Sequence, residues 1–186
     1  MFIRSERLFL RPGWPEDWSE LHGQVADERI VRNLAKAPWP YTAEAAREFA
    51  ALPQAPRHPH FMITLPTGEG SRLIGTVGLT PAEDGSAEVG YWIAQRQWNR
   101  GYATEAVRAI VRLARTLGHA RLSASHFVDN PASGRVLRKA GFVPTGQVAQ
   151  RYSLARGHAV EAEVLALELG AASACDGATP DSMRAA

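Results

Sequence analysis

The chain has one cysteine, Cys175, in 186 residues. With no second cysteine there can be no internal disulfide and no Cys-based metal cluster, and no metal site is expected. Long apolar runs are also missing: nothing approaches the roughly 20 residues that cross a bilayer. The opening Met-Phe-Ile-Arg-Ser-Glu-Arg lacks the apolar stretch of a secretory signal, so a cytoplasmic location away from membranes is expected. Charge of one sign is not in excess. Lys and Arg total 21 against 19 Asp and Glu, a net +2, which argues against a nucleic-acid partner yet suits an acidic small molecule. Two common phosphate motifs are absent. No Gly-Lys-Ser/Thr follows a spaced glycine, and Gly101 has no glycine two or five residues on, which excludes a P-loop and a dinucleotide fingerprint. No internal repeat is visible. An apolar fraction of 45% and a charged fraction of 22% suit a single globular domain with a sizeable core.

What the chain does have is concentrated between Glu88 and Ala106. An apolar, aromatic run with strand character, Val89 to Ala94, leads through a short polar connection into Gly101 and a long pattern of helical period. A strand, a tight basic turn and a helix N-terminus in that order form an anion site, because the first helical N–H groups lack intrahelical partners and the dipole favours negative charge. Gly101 and Ala103 are small enough to let amides close on a pyrophosphate. An ordinary strand-to-helix turn that happens to contain glycine would carry the same residues.

Along the chain, residues 6 to 11 read as a first strand ended by Pro12-Gly13. Helical spacing follows over Pro15 to Asp27, over Glu28 to Leu34, and from Thr42, a candidate N-cap, to Leu52. Strands are expected at His60 to Leu65, Arg72 to Thr80 and Ala87 to Ala94, forming an antiparallel meander. The helix from Gly101 to Leu117 would bury Ala103, Ala106, Val107, Ile110, Leu113, Ala114 and Leu117, with Glu105, Arg108, Arg112 and Arg115 facing solvent. A strand over Arg121 to Val128 follows, then a helix capped by Asn130 with Pro131 at its first position, then final strands near 142–150 and 159–169. Residues 171–186, rich in Ala, Ser and Gly, are expected to be a weakly ordered tail behind a 1–170 domain.

Three ordered stretches carry a resemblance. Gly90-Tyr91-Trp92-Ile93 with Trp98-Asn99-Arg100-Gly101-Tyr102-Ala103-Thr104-Glu105-Ala106 resembles the acetyl-CoA signature of the GNAT superfamily of N-acetyltransferases. Ser5 to Pro12 is similar to the opening strand of its RimJ/RimL-like branch, which includes ribosomal-protein N-terminal acetyltransferases. Asn130 to Ser133 with Val136 to Phe142 is similar to that branch's second cofactor helix. The resemblance implies a mixed α+β fold: one central, mostly antiparallel twisted sheet of about seven strands with helices on both faces. Two adjacent parallel strands, here 87–94 and 121–128, would splay to hold acetyl-CoA, and a bulge at Gly90 could open that splay. It further implies that Trp92 and Ile93 present backbone to the pantetheine arm. Trp98, Asn99, Arg100, Gly101, Tyr102, Ala103 and Thr104 would form the pyrophosphate turn, with Asn130 and Ser133 near the thioester.

The sequence departs from the family pattern at two places. Trp98 stands where the superfamily usually has Gln or Arg, and Leu137 stands where many relatives carry a tyrosine acid for the leaving thiolate.

Acetyl transfer to a primary amine by direct attack in a ternary complex needs a base for the amine and a donor for the thiolate. Glu88, on the strand face of Gly90 and Trp92, is the expected base. His126 on the adjacent strand is a second candidate, although a strand histidine is commonly structural. Ser133 is the candidate donor to the sulfur, although a serine at that helical position also caps locally. Trp39, Tyr41, Phe61 and Tyr152 are aromatic candidates for the acceptor pocket, although core packing competes for them. The acceptor itself, a protein N-terminus or a small-molecule amine, is not written in these residues; nor is the choice between monomer and homodimer. With Leu137 in the tyrosine position, a non-catalytic acyl-CoA-binding sensor is the alternative, and Glu88 is the residue that speaks against it.

Overall fold

The computed structural model describes residues 1–68, 70–82 and 84–170. The expected tail, with Cys175, lies outside the described residues. Eight strands form one sheet: β1 (Ile3–Arg4), β2 (Phe9–Arg11), β3 (His60–Thr67), β4 (Gly70–Pro81), β5 (Ala87–Ile93), β6 (Arg121–Phe127), β7 (Val143–Ser153) and β8 (His158–Glu168), in the order β1-β2-β3-β4-β5-β6-β8-β7. The strand beyond the seven expected is β1, whose two residues are too short to register as a pattern. All pairings are antiparallel except β5 with β6.

Among the described residues five α-helices cover the sheet: α1 (Trp18–Val25), α2 (Glu28–Val31), α3 (Ala43–Ala50), α4 (Tyr102–Thr116) and α5 (Pro131–Lys139). Local chemistry sets their starts. Thr42 Oγ1 accepts the Ala45 N–H at 3.2 Å, and Asn130 Oδ1 accepts the Ser133 N–H at 3.3 Å with Pro131 behind it. Period-2 alternation then sorts the sheet's side chains to opposite faces. Phe61 and Ile63 join Val77, Val89 and Leu122 under α4 and α5. Met62 and Leu73 face α1, α2 and α3 on the other side. Leu137 is fully buried in the first of these cores. Truncating such a leucine to alanine costs about 2–5 kcal/mol, so packing accounts for the residue in that position.

The parallel pair is short. Only Ala87 with Leu122 and Glu88 with Ser123 align, after which β5 and β6 part. Gly90 does not make a bulge, because the β4–β5 ladder runs unbroken from Pro81–Ala87 to Gly75–Ile93. The bulge sits one strand away. Ile63 pairs with Gly75 and Thr64 with Leu73, leaving Ile74 as the extra residue of β4.

Candidate active site

The parted strands open a cleft of about 1360 Å³ that passes from the α4–α5 face to the α1–α3 face. Gly90 lies on its wall, and a Cβ built there would meet no atom within 4 Å. The missing side chain therefore leaves open space where the strands separate.

The turn from β5 to α4 forms one end. The Trp98 indole Nε1 donates to the Ile93 carbonyl at 2.6 Å, folding the turn back on its strand. Asn99 at φ 60° and Gly101 at φ 82° then take left-handed conformations that bring the chain into α4. Gly101 accepts only the Glu105 N–H at 3.1 Å, and no side chain caps the helix. The first-turn amides of Tyr102, Ala103 and Thr104 thus line the cleft as open donors at the positive end of a 15-residue helix. Arg135 and Lys139, one turn apart on α5, line the same region and add charge. Their i, i+4 spacing was a readable sign that both share a face.

Glu105 does not face solvent as its helical position suggested. Its Oε1 accepts the Ser5 hydroxyl at 2.7 Å and the Arg7 backbone N–H at 2.7 Å, and its Oε2 accepts Arg7 Nε at 2.8 Å. Arg7 continues to the Arg100 carbonyl at 3.0 Å and lies 4.6 Å over the Tyr102 ring. Burial alone would raise the Glu105 carboxyl, but the hydrogen bonds from Arg7 and Ser5 together outweigh it and hold the group lower than usual. The N-terminal segment thereby braces the turn.

Near the apex of the splay, Glu88 Oε1 accepts the Ser125 hydroxyl at 2.9 Å and Arg151 Nη2 at 3.3 Å. Its Oε2 has no protein partner among the described residues. Ser125 and Arg151, neither singled out from sequence, hold the carboxylate in place. On the opposite face of β5, the Tyr91 hydroxyl lies 2.7 Å from Ser133 Oγ and 3.1 Å from the Ser133 carbonyl. Burial pushes the Tyr91 phenol up to about 12, against the opposing hydrogen bond from Ser133. Asn130, the α5 cap, lines the cleft beside Ser133.

His126 is not brought to this cluster. It points away from the Ser125 face, Nε2 lies 2.8 Å from Glu163, Nδ1 lies 2.9 Å from the Phe127 carbonyl, and Arg138 braces the same Glu163. A Cβ at Gly134 would collide with the imidazole, so the ring is packed into α5.

The other end of the cleft is apolar, formed by Leu21, Val25, Ile30, Leu34, Tyr41 and Phe49. Of the expected aromatic residues, Tyr41 is there. Phe61 is buried in the core, while Trp39 and Tyr152 are exposed outside it. Arg156 ties together residues that line this end: it donates to Asp129 at 2.7 Å and to the Arg32 carbonyl at 2.8 Å and lies over Phe127 at 4.8 Å. The Leu154 N–H adds a bond to the Ala35 carbonyl at 3.0 Å.

Residues 7–143 match the family model described as an acetyltransferase (GNAT) domain. The Probable N-acetyltransferase YjcK of Bacillus subtilis is 30% identical over 176 residues, covering 89% of this chain and 96% of its own. Among solved structures, an acetyltransferase (GNAT family) from Bacillus anthracis superposes with a TM-score of 0.77 at 23% identity, covering 90% of this chain and 98% of its own. RimL, a ribosomal L7/L12 alpha-N-protein acetyltransferase in complex with coenzyme A, superposes with a TM-score of 0.74 at 19% identity, covering 90% and 98%. The chain belongs to the GNAT acetyltransferase family, and its acyl donor is acetyl-CoA.

Proposed function

We propose that this acetyltransferase moves the acetyl group of acetyl-CoA onto a primary amine by direct attack in a ternary complex, with Glu88 as base and Ser133 as donor to the leaving sulfur. The observation that carries the proposal is the placement of these two groups on opposite faces of β5, beside the short splay through which the two faces communicate.

The residues present suit the donor. The open α4 amides, with Arg135 and Lys139, supply dipole and charge for a pyrophosphate, whereas Arg100 is not among the described residues that line the cleft. The β5 edge from Val89 to Ile93, unpaired on its β6 side, offers backbone groups for the amides of a pantetheine arm. Trp92 and Ile93 lie on that edge, and Trp98 and Asn99 shape the turn. When bound, acetyl-CoA supplies an activated acyl carbon and a thiolate leaving group. Glu88 holds an unpaired Oε2 to receive the amine proton, directly or through water, while Ser125 and Arg151 fix its other oxygen. His126 has both ring nitrogens engaged on the far face, which favours Glu88 over it.

The acceptor side is wide and apolar with a polar rim, consistent with a peptide N-terminus or a small amine bearing an apolar substituent. RimL acts on a ribosomal-protein N-terminus, and the shared fold makes peptide N-termini the first acceptors to try. The test is thiol release and product mass from acetyl-CoA with a panel of peptide N-termini, amino acids and polyamines. An acetylated amine together with free CoA is the expected result. Tight CoA binding with no thiol release across the panel would favour the acyl-CoA sensor instead.

A further inference from the structure

We infer that Tyr91 is a positioning residue for the leaving group, aiming the Ser133 hydroxyl at the CoA sulfur. The inference rests on the reading of Ser133 as donor to that sulfur. The position that many relatives fill with an acid holds Leu137, fully buried in the core and without a polar atom. Another hydroxyl is nonetheless present. Tyr91 reaches from β5 across to the first turn of α5, and its oxygen lies 2.7 Å from Ser133 Oγ, a full-strength O–H···O distance, and 3.1 Å from the Ser133 carbonyl. Both residues line the cleft, and the tyrosine ring packs against the main core, so the hydroxyl sits at the end of a fixed lever.

Each hydroxyl carries one proton, and the pair has two ways to use them. In the first, Tyr91 donates to the Ser133 carbonyl and Ser133 Oγ donates to Tyr91. In the second, Tyr91 donates to Ser133 Oγ, and the serine proton is free to point into the cleft. Rotating two O–H bonds converts one arrangement into the other with no movement of heavy atoms. Negative charge arriving on a sulfur beside Ser133 selects the second, and the tyrosine then strengthens the serine as a donor by polarising it. Burial keeps the phenol protonated throughout, so it remains a donor at every working pH. No proton leaves Tyr91 in this scheme. Among the described residues the Tyr91 hydroxyl is the one hydrogen-bond partner of Ser133 Oγ, while the Ser133 backbone N–H donates to Asn130.

The experiment titrates the thiol of CoA bound to the protein, read by thiolate absorbance in the ultraviolet, alongside kcat and melting temperature. The variants are Tyr91→Phe, Ser133→Ala and the double substitution. The bound thiol of Tyr91→Phe is expected to titrate about one pH unit higher than in the parent. kcat should fall about tenfold, with the KM for acetyl-CoA and the melting temperature little changed. Adding Tyr91→Phe to Ser133→Ala should change nothing further, because the tyrosine acts only through the serine. A thiol midpoint and kcat unmoved in Tyr91→Phe but moved in Ser133→Ala would overturn the role of Tyr91 while leaving Ser133 in place. A midpoint unmoved in both would overturn the serine reading and this inference with it. A parent protein that releases no thiol with any amine would defeat the proposed activity, and the titration of bound CoA would still decide whether the hydroxyl pair touches the sulfur.

Discussion

Glu105 holds the backbone N–H of Arg7 at 2.7 Å across 98 positions of sequence, tying the first strand region to the first turn of α4. With the Ser5 hydroxyl and the Arg7 guanidinium on the same carboxylate, the tie fixes the turn from Trp98 to Gly101 against the rest of the sheet. In the proposed binding mode the positive end of α4 is useful only if it is held in place for the phosphates.

Glu105→Ala removes that tie and leaves the Arg7 backbone N–H and Nε without their acceptor. A loss of about 1–3 kcal/mol in stability is expected, together with roughly tenfold weaker CoA binding by calorimetry. Acid should act in the same direction. A carboxyl held low in the folded state stabilises above its unfolded pKa of about 4.3 and loses that contribution as pH falls through the lower folded value. CoA affinity retained by Glu105→Ala would remove the bracing role.

Gly90→Val separates folding from function. A Cβ at this position meets no atom within 4 Å, and glycine in a strand costs about 0.5–1 kcal/mol, so thermal stability should hold or rise. The same side chain fills the opening of the splay, and kcat/KM should drop at least about tenfold. A variant that is both stable and fully active would show that the reacting groups do not meet at this opening.

Arg156→Ala unties the rim of the apolar end from Asp129 and the Arg32 carbonyl. Hydrogen bonding to Arg156, ahead of a smaller opposing effect of burial, holds the Asp129 carboxyl below its ordinary value, so the pair persists through neutral pH and fails only in acid. The expected outcome is a several-fold higher KM for the amine with CoA affinity unchanged. An equal loss in both affinities would mean that the rim supports the whole cleft rather than the acceptor end.

Much of the fold could be read from the chain because its signals are local. Thr42, Asn130 and Pro131 announce helix starts by hydrogen-bonding chemistry, and the stripe through Val107, Ile110 and Ala114 announces which face of α4 is buried. The strand count missed β1 because two residues show no alternation. Other features are illegible because they depend on distant pairing. Glu105 looks like an ordinary first-turn carboxylate until Arg7 is beside it. Arg151 reaches Glu88 only because β7 and β8 fold back across β6, 63 positions away in sequence. His126 and Ser125 are neighbours, and only the β5–β6 register decides which of them shares a face with Glu88. Tyr91 was visible as part of a motif, yet its hydroxyl gains a role only once α5 is packed over it.

The most direct measurement of the central claim is the pH dependence of acetyl transfer in Glu88→Gln against the parent, at saturating acetyl-CoA and with CoA affinity measured on both. Glutamine keeps the size and can still accept from Ser125, but it cannot take a proton from the amine. The account predicts that kcat falls by about 10²–10⁴, that the carboxylate limb of the pH profile disappears, and that the CoA dissociation constant stays within about twofold. A variant that keeps both the parent's rate and its pH profile would contradict the account.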